Sequence, residues 1–133
     1  MNRFDLCRLL WRLWSPTWQF SEQTYAQTAN SFDNPDFVDV VIQSYRHRYG
    51  YAPGDPAYDA IEAQLASQPT IRVPTVALYG VDDGVTPLPP TDKGGERFAG
   101  PYQRRDMPGV GHNLPQENPT AIVDAVLALL RAS

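Results

Sequence analysis

Two short segments carry the side chains whose types could do chemistry together. Gly80-Val-Asp-Asp83 follows an apolar run, and Gly109-Val-Gly-His112 precedes an amphipathic stretch. A carboxylate beside an imidazole fixes its tautomer and stabilises its protonated form, which leaves the second ring nitrogen free to act as a general base. Asp82 and Asp83 compete for the acid place, and His112 is the candidate base. Such a pair needs a nucleophile to act on a substrate. Upstream of Gly80 the sequence holds no Gly-x-Ser-x-Gly, Gly-x-Asp-x-Gly or Gly-x-Cys-x-Gly.

Each group must sit on an element that aims it. Val73-Pro-Thr-Val-Ala-Leu-Tyr79 is a short, continuous apolar run with β-branched residues, which predicts a parallel strand buried on both faces. Pro74 falls at its start, where a ladder donor can be spared. The Asp pair lies just past its end. Residues 102–107 predict a second, more polar strand nearer a sheet edge, and His112 follows it on a glycine-rich turn. Between them, 85–90 reads as an exposed loop and 91–98 as a short helix weakened by glycine. Asn118 as cap and Pro119 as first residue open a last helix, with Ile122, Val123, Val126, Leu127 and Leu130 as one apolar stripe.

Ahead of residue 69 the chain reads as wholly helical. Leu6, Leu9, Leu10, Leu13 and Trp14 recur at helical spacing until Pro16 stops the pattern, with Cys7 as a packing residue inside it. A second helix is expected after Ser21, with Tyr25, Ala29 and Phe32 on one face. Asn34-Pro35-Asp36 opens a third, predicted to bury Phe37, Val41, Ile42 and Tyr45 and to end near Gly50. Asp55-Pro56 opens a fourth, with Tyr58, Ile61 and Leu65, closed around Pro69. The expected division is a helical segment over 1–68 and a strand-bearing segment over 69–133.

Length and composition narrow the function. A chain of 133 residues can bury one core but falls short of the roughly 200 that full α/β enzymes need, so it reads as a part of one. A net charge of −4, with no basic block beyond Arg46-His-Arg48 and Arg104-Arg105, argues against nucleic acid as a partner. One cysteine excludes an internal disulfide and a thiolate metal cluster, and two histidines leave no His-rich metal site. No dinucleotide or phosphate loop occurs, so neither cofactor nor metal is expected. Arg3, Asp5, Arg8 and Arg12 interrupt the apolar N-terminus, which predicts no signal peptide, no membrane association and a cytoplasmic location.

The segment from Ile71 to Pro87, with Tyr79-Gly-Val-Asp-Asp-Gly84 inside it, resembles the penultimate strand and acid loop of the α/β-hydrolases, closest to their epoxide hydrolase and haloalkane dehalogenase-like branch. Met107-Pro-Gly-Val-Gly-His112 and the residues to Pro119 resemble the histidine loop and last helix. Phe32-Asp-Asn-Pro-Asp-Phe37 and Ser44-Tyr-Arg-His-Arg-Tyr49 resemble the rear half of the lid. The resemblance implies the C-terminal portion of an α/β-hydrolase fold: a helical lid (cap) segment over 1–68, then two parallel strands with a terminal helix. It implies Asp83, selected over Asp82 by the family's Gly-x-x-Asp pattern, as triad acid and His112 as base. The nucleophile, Ser or Asp, would be missing from a chain of this kind, which would be truncated and inactive alone. In the complete enzyme the reaction would be hydrolysis of an ester, epoxide or carbon–halogen bond in a small molecule.

Epoxide hydrolases use lid tyrosines to polarise the epoxide oxygen, and Tyr45 resembles one of those positions. It also shares a stripe with Val41 and Ile42, where packing would account for it. His47, between two arginines, is expected to face solvent, and Trp11, Trp14 and Trp18 to serve packing. Ser44 and Ser31, the remaining candidate nucleophiles, lie on no strand-to-helix elbow. A second function stays open beside the enzyme: a non-enzymatic module or subunit that completes its fold on a partner chain. That partner would be a complementary N-terminal hydrolase fragment or a second copy, because two parallel strands leave edges and faces uncovered.

Overall fold

The computed structural model describes residues 2–132, except the side chains of Lys93 and Ala132. Asn2 starts the first helix: its Oδ1 accepts the Asp5 N–H at 2.9 Å, and α1 runs Arg3–Trp14 until Ser15 and Pro16 end it. Ser21 repeats the device for α2, Glu22–Ala29, accepting the Thr24 N–H at 3.0 Å. A 3-10 turn over Asn30–Asp33 follows. Asn34 accepts the Asp36 N–H at 2.9 Å, ahead of α3, Phe37–Arg48. Asp55 accepts the Ala57 N–H at 2.9 Å, opening a 3-10 turn that continues into α4, Asp59–Ala66.

β1, Thr75–Gly80, and β2, Tyr102–Met107, pair in parallel, from Thr75 opposite Tyr102 to Gly80 opposite Met107. The connection contains a 3-10 turn, Lys93–Arg97, where the sequence predicts a short helix. Gly94 and Gly95 weaken that segment enough to keep it at one tight turn. α5, Leu114–Glu117, and α6, Pro119–Ala132, complete the order. Asn118 Oδ1 accepts the Ala121 N–H at 3.1 Å. Asn118→Ala should therefore cost about 1 kcal/mol, seen as a lower urea midpoint at unchanged slope.

Contacts divide the chain into two compact units, one up to Phe20 and from Thr70 on, the other Ser21–Pro69. The later junction falls beside the expected one at 68/69, but α1 groups with the strands rather than with the other helices. Trp11 is buried, stacked on Trp18 at 5.1 Å and edge-on to Phe20 at 5.3 Å, and Ser15 is wholly buried. Periodicity identifies such a helix without saying where it docks.

In the first unit α6 packs on β1, with Ala125 buried. The stripe expected inside is largely open: Val123, Val126, Leu127 and Leu130 are exposed, Leu130 to 69%. α6 is apolar nearly all round, so its pattern cannot tell which face turns inward. β1 is half-buried rather than enclosed: β2 pairs with one edge, and among the described residues no strand lies beside the other. Cys7 is a free, half-buried thiol.

The second unit is held by Tyr25, Ala29 and Phe32, all buried, with the Phe32 and Phe37 rings 4.9 Å apart. α3 buries none of its residues, and Val41, Ile42 and Tyr45 are exposed, as are Tyr58, Ile61 and Leu65. An amphipathic pattern marks an apolar side without supplying its cover. Among the described residues no helix is long and apolar enough to cross a membrane, and no cluster of His, Cys, Asp and Glu is arranged to hold a metal ion.

Candidate active site

β1 ends at Gly80, and the chain turns at once toward the loop after β2. The Val81 N–H donates to Met107 O at 3.1 Å and the Asp82 N–H to Val110 O at 2.9 Å. Gly80 permits this approach: a Cβ there would meet the carbonyl oxygens of Gly111 and, at 2.6 Å, of Val110. Gly109, at φ +75°, takes the left-handed conformation that turns the second loop back.

These turns bring Asp83 and His112 together. Imidazole Nδ1 lies 2.9 Å from Asp83 Oδ2 and 3.1 Å from Oδ1. A carboxylate only accepts, so Nδ1 carries the proton and Nε2 keeps its lone pair. The carboxylate is itself held by the Val85 and Thr86 N–H groups, at 2.7 and 3.0 Å from Oδ1. Burial pushes the Asp83 carboxyl up, but the hydrogen bonds from Thr86, His112 and Val85, with the imidazole's charge, outweigh it and hold the group below its usual range.

That shift has a consequence for stability. A carboxyl depressed in the folded chain contributes stability that is present above the unfolded value of about 3.9 and is lost as pH falls through the lower folded value. The thermal midpoint of the unaltered chain should therefore fall more steeply below about pH 4 than that of Asp83→Asn, measured by circular dichroism across a pH series.

The carboxylate that reaches the imidazole is Asp83, not Asp82. Gly80-Val-Asp-Asp-Gly84 itself matches Gly-x-Asp-x-Gly, but a loop rather than a helix follows it, so Asp82 stands on no nucleophile elbow. Ser44 and Ser31 donate their hydroxyls to Val41 O and Thr28 O, both at 2.8 Å, and so hand no proton to an imidazole.

Tyr45 lies in the second unit, 46% exposed, its ring parallel to that of Tyr49 at 6.4 Å. It is not packed beneath Val41 and Ile42 as expected. His47 leaves 40% of its side chain exposed and rests against Gly54, with Nε2 3.3 Å from Glu62 Oε1. His47 and Glu62 border an open cleft of about 860 Å³ within the second unit, which Asp36, Asp39, Asp55 and Tyr58 also line.

Sequence reasoning missed the supports of the pair. Glu117 accepts the Gly111 N–H at 2.7 Å and the Asn113 N–H at 3.0 Å. The signal was an acidic residue four places after Asn113 at a helix start, a variation on the reciprocal cap. It also missed the end of α1. The Trp14 ring stands edge-on to His112 at 5.5 Å, and Ser15 Oγ accepts from the Asn113 N–H at 3.1 Å and its Nδ2 at 3.0 Å.

No protein-family model matches the chain. Over 68 residues, 51% of its length, it is 38% identical to epoxide hydrolase A of Mycobacterium tuberculosis (strain ATCC 25618 / H37Rv). A crystal structure from Klebsiella pneumoniae subsp. pneumoniae MGH 78578, of a protein assigned as an epoxide hydrolase, superposes on 98% of the chain with a TM-score of 0.91 and 44% identity. The chain spans 21% of the first relative and 43% of the second. In sequence and in structure it is an epoxide hydrolase-like portion of an α/β-hydrolase fold.

Proposed function

We propose that this chain contributes the acid, Asp83, and the base, His112, of a catalytic triad that hydrolyses an ester, epoxide or carbon–halogen bond in a small molecule. The observation that carries the reading is the 2.9 Å contact of His112 Nδ1 with Asp83, which leaves Nε2 uncommitted. The names of the two similar proteins favour an epoxide among the three bonds. With a serine nucleophile, Nε2 takes the hydroxyl proton as Oγ attacks. With an aspartate nucleophile, carboxylate attack opens the ring to an ester and an alkoxide. A phenol such as that of Tyr45 gives the alkoxide its proton, and Nε2 then takes a proton from the water that attacks the ester.

The 133 residues hold no nucleophile elbow of their own, so the reading includes inactivity alone. The helical segment over 1–68 is the lid (cap) in this reading, with the compact unit Ser21–Pro69 as its larger part. A cytoplasmic location belongs to it as well, motivated by the single cysteine.

A second reading, a subunit without activity that completes its fold on a hydrolase fragment or on its own copy, is favoured by the exposed apolar face of α6 and the open edge of β1. One experiment separates the two. Residues 1–133 replace the matching portion of the Klebsiella protein, and the hybrid is assayed with a chromogenic epoxide and a chromogenic ester. Turnover that needs Asp83 and His112 supports the enzyme reading. A folded hybrid without turnover leaves the subunit reading, and turnover indifferent to both residues removes the assignment of the pair.

A further inference from the structure

The C-terminal end of a helix leaves its last carbonyls without intrahelical partners. Pro16 prevents α1 from continuing and satisfying them. The Trp14 carbonyl oxygen is one of these, and it is used twice. It accepts the Gly84 N–H at 2.9 Å and the His112 N–H at 3.1 Å. Gly84 is the residue after the candidate acid, and His112 is the candidate base. One oxygen thus sets the main chain of both loops.

The next residue adds to the clamp. Ser15 Oγ takes both donors of Asn113, the neighbour of His112, and the hydroxyl is wholly buried. Thr17 Oγ1 donates to Gly109 O at 3.3 Å, at the far side of the same loop. Two glycines let the three backbones meet. A Cβ on Gly84 would strike the Leu13 carbonyl, and one on Gly111 would lie 2.5 Å from Ser15 Cα. The approach leaves no room for a side chain at either glycine.

The geometry points to the Trp14–Ser15 step as the positioning element of the acid–base pair, acting on His112 through its own N–H and through Asn113. The inference rests on the proposed acid–base reading and deepens it. A hydrogen-bonded relay needs its members held to about 0.5 Å, and side chains on two loops reach that only with support from a rigid element. α1 is that element here. Ser15 and Asn113 touch no reacting atom, so their role is to hold His112 with Nδ1 facing Asp83.

The test reads the imidazole directly. The chain has two histidines, and His47, in the other unit, serves as internal reference. Long-range proton–nitrogen NMR of the full chain distinguishes the ring tautomers of neutral His112. The unaltered chain is expected to show one tautomer, protonated at Nδ1. Ser15→Ala should lose this pattern, the two ring-nitrogen shifts converging, while those of His47 stay in place. Ser15→Thr, which restores the hydroxyl, should recover it. Should Ser15→Ala fail to fold, Asn113→Ala removes the Nδ2 bond to Ser15 Oγ, leaves the main-chain one, and should shift the same pattern to a smaller extent.

Asp83→Asn separates the two possible failures. If it disturbs the tautomer while Ser15→Ala and Asn113→Ala leave it untouched, the positioning role is overturned and the acid–base reading stands. If Asp83→Asn also leaves it untouched, the acid–base reading falls and takes the positioning role with it.

Discussion

In the hybrid enzyme, His112→Ala lowers kcat by about 10²–10⁴-fold with little change in KM, and Asp83→Asn falls in the same range. The expectation follows from what each group can touch. Nε2 is the uncommitted end of the relay, and proton transfer matters in the transition state far more than in the bound ground state. Asp83 reaches the substrate only through the ring. Its loss misdirects the tautomer, since an amide at that place can offer Nδ1 a donor as readily as an acceptor. His112→Ala should unfold at nearly the same urea concentration as the unaltered hybrid, because His112 is a loop residue with a part-exposed ring, whereas Asp83→Asn should unfold somewhat earlier at neutral pH, having lost the stability that its depressed carboxyl contributes. Steady-state kinetics on the two substrates, with a denaturation curve for each variant, checks both halves. A tenfold or smaller loss in both variants would remove the pair from the chemistry.

A large expected effect on stability lies at Gly80. Gly80→Ala is expected to destabilise the chain by about 3 kcal/mol and to lower its Tm by on the order of 10 °C. The Cβ would enter the space of two main-chain carbonyls, Gly111 O and Val110 O, and main chain cannot swing aside as a long side chain does. Relief requires prying the end of β1 from the loop after β2, the same juncture that brings Asp83 to His112. Gly94→Ala is the control. A Cβ there meets nothing closer than 3.8 Å, and the change should stay within about 0.5 kcal/mol. Differential scanning calorimetry of the two variants reads the contrast.

The parts of the fold legible in the sequence were those fixed by local chemistry. Ser21, Asn34, Asp55 and Asn118 each accept a main-chain N–H within three residues, and the bond is made among neighbours in the chain. The strand over Tyr102–Met107 was legible because turns bound it on both sides. Asp83 and His112 could be named because each closes a glycine-bearing turn just past a strand.

What stayed hidden depends on distant chain. Whether Leu130 or Ala125 faces the sheet is undecidable from a helix apolar on every side. The docking of α1 hangs on Trp18 stacking on Trp11, on Phe20 meeting that ring edge-on, and on a serine that reads as a helix stop. The cleft beside His47 escaped for the same reason, since Gly54 and Glu62 reach it from outside its helix.

In the proposed reading with a covering partner chain, the open edge of β1 and the exposed face of α6 make the stability of these residues a matter of mass action. A chain that covers both surfaces binds only the folded form. Beyond its dissociation constant, each tenfold rise in its free concentration adds about 1.4 kcal/mol to the work of unfolding. A melting temperature measured on the isolated chain is then the floor of a family of values, and its slope against the concentration of the covering chain measures how tightly the two fit.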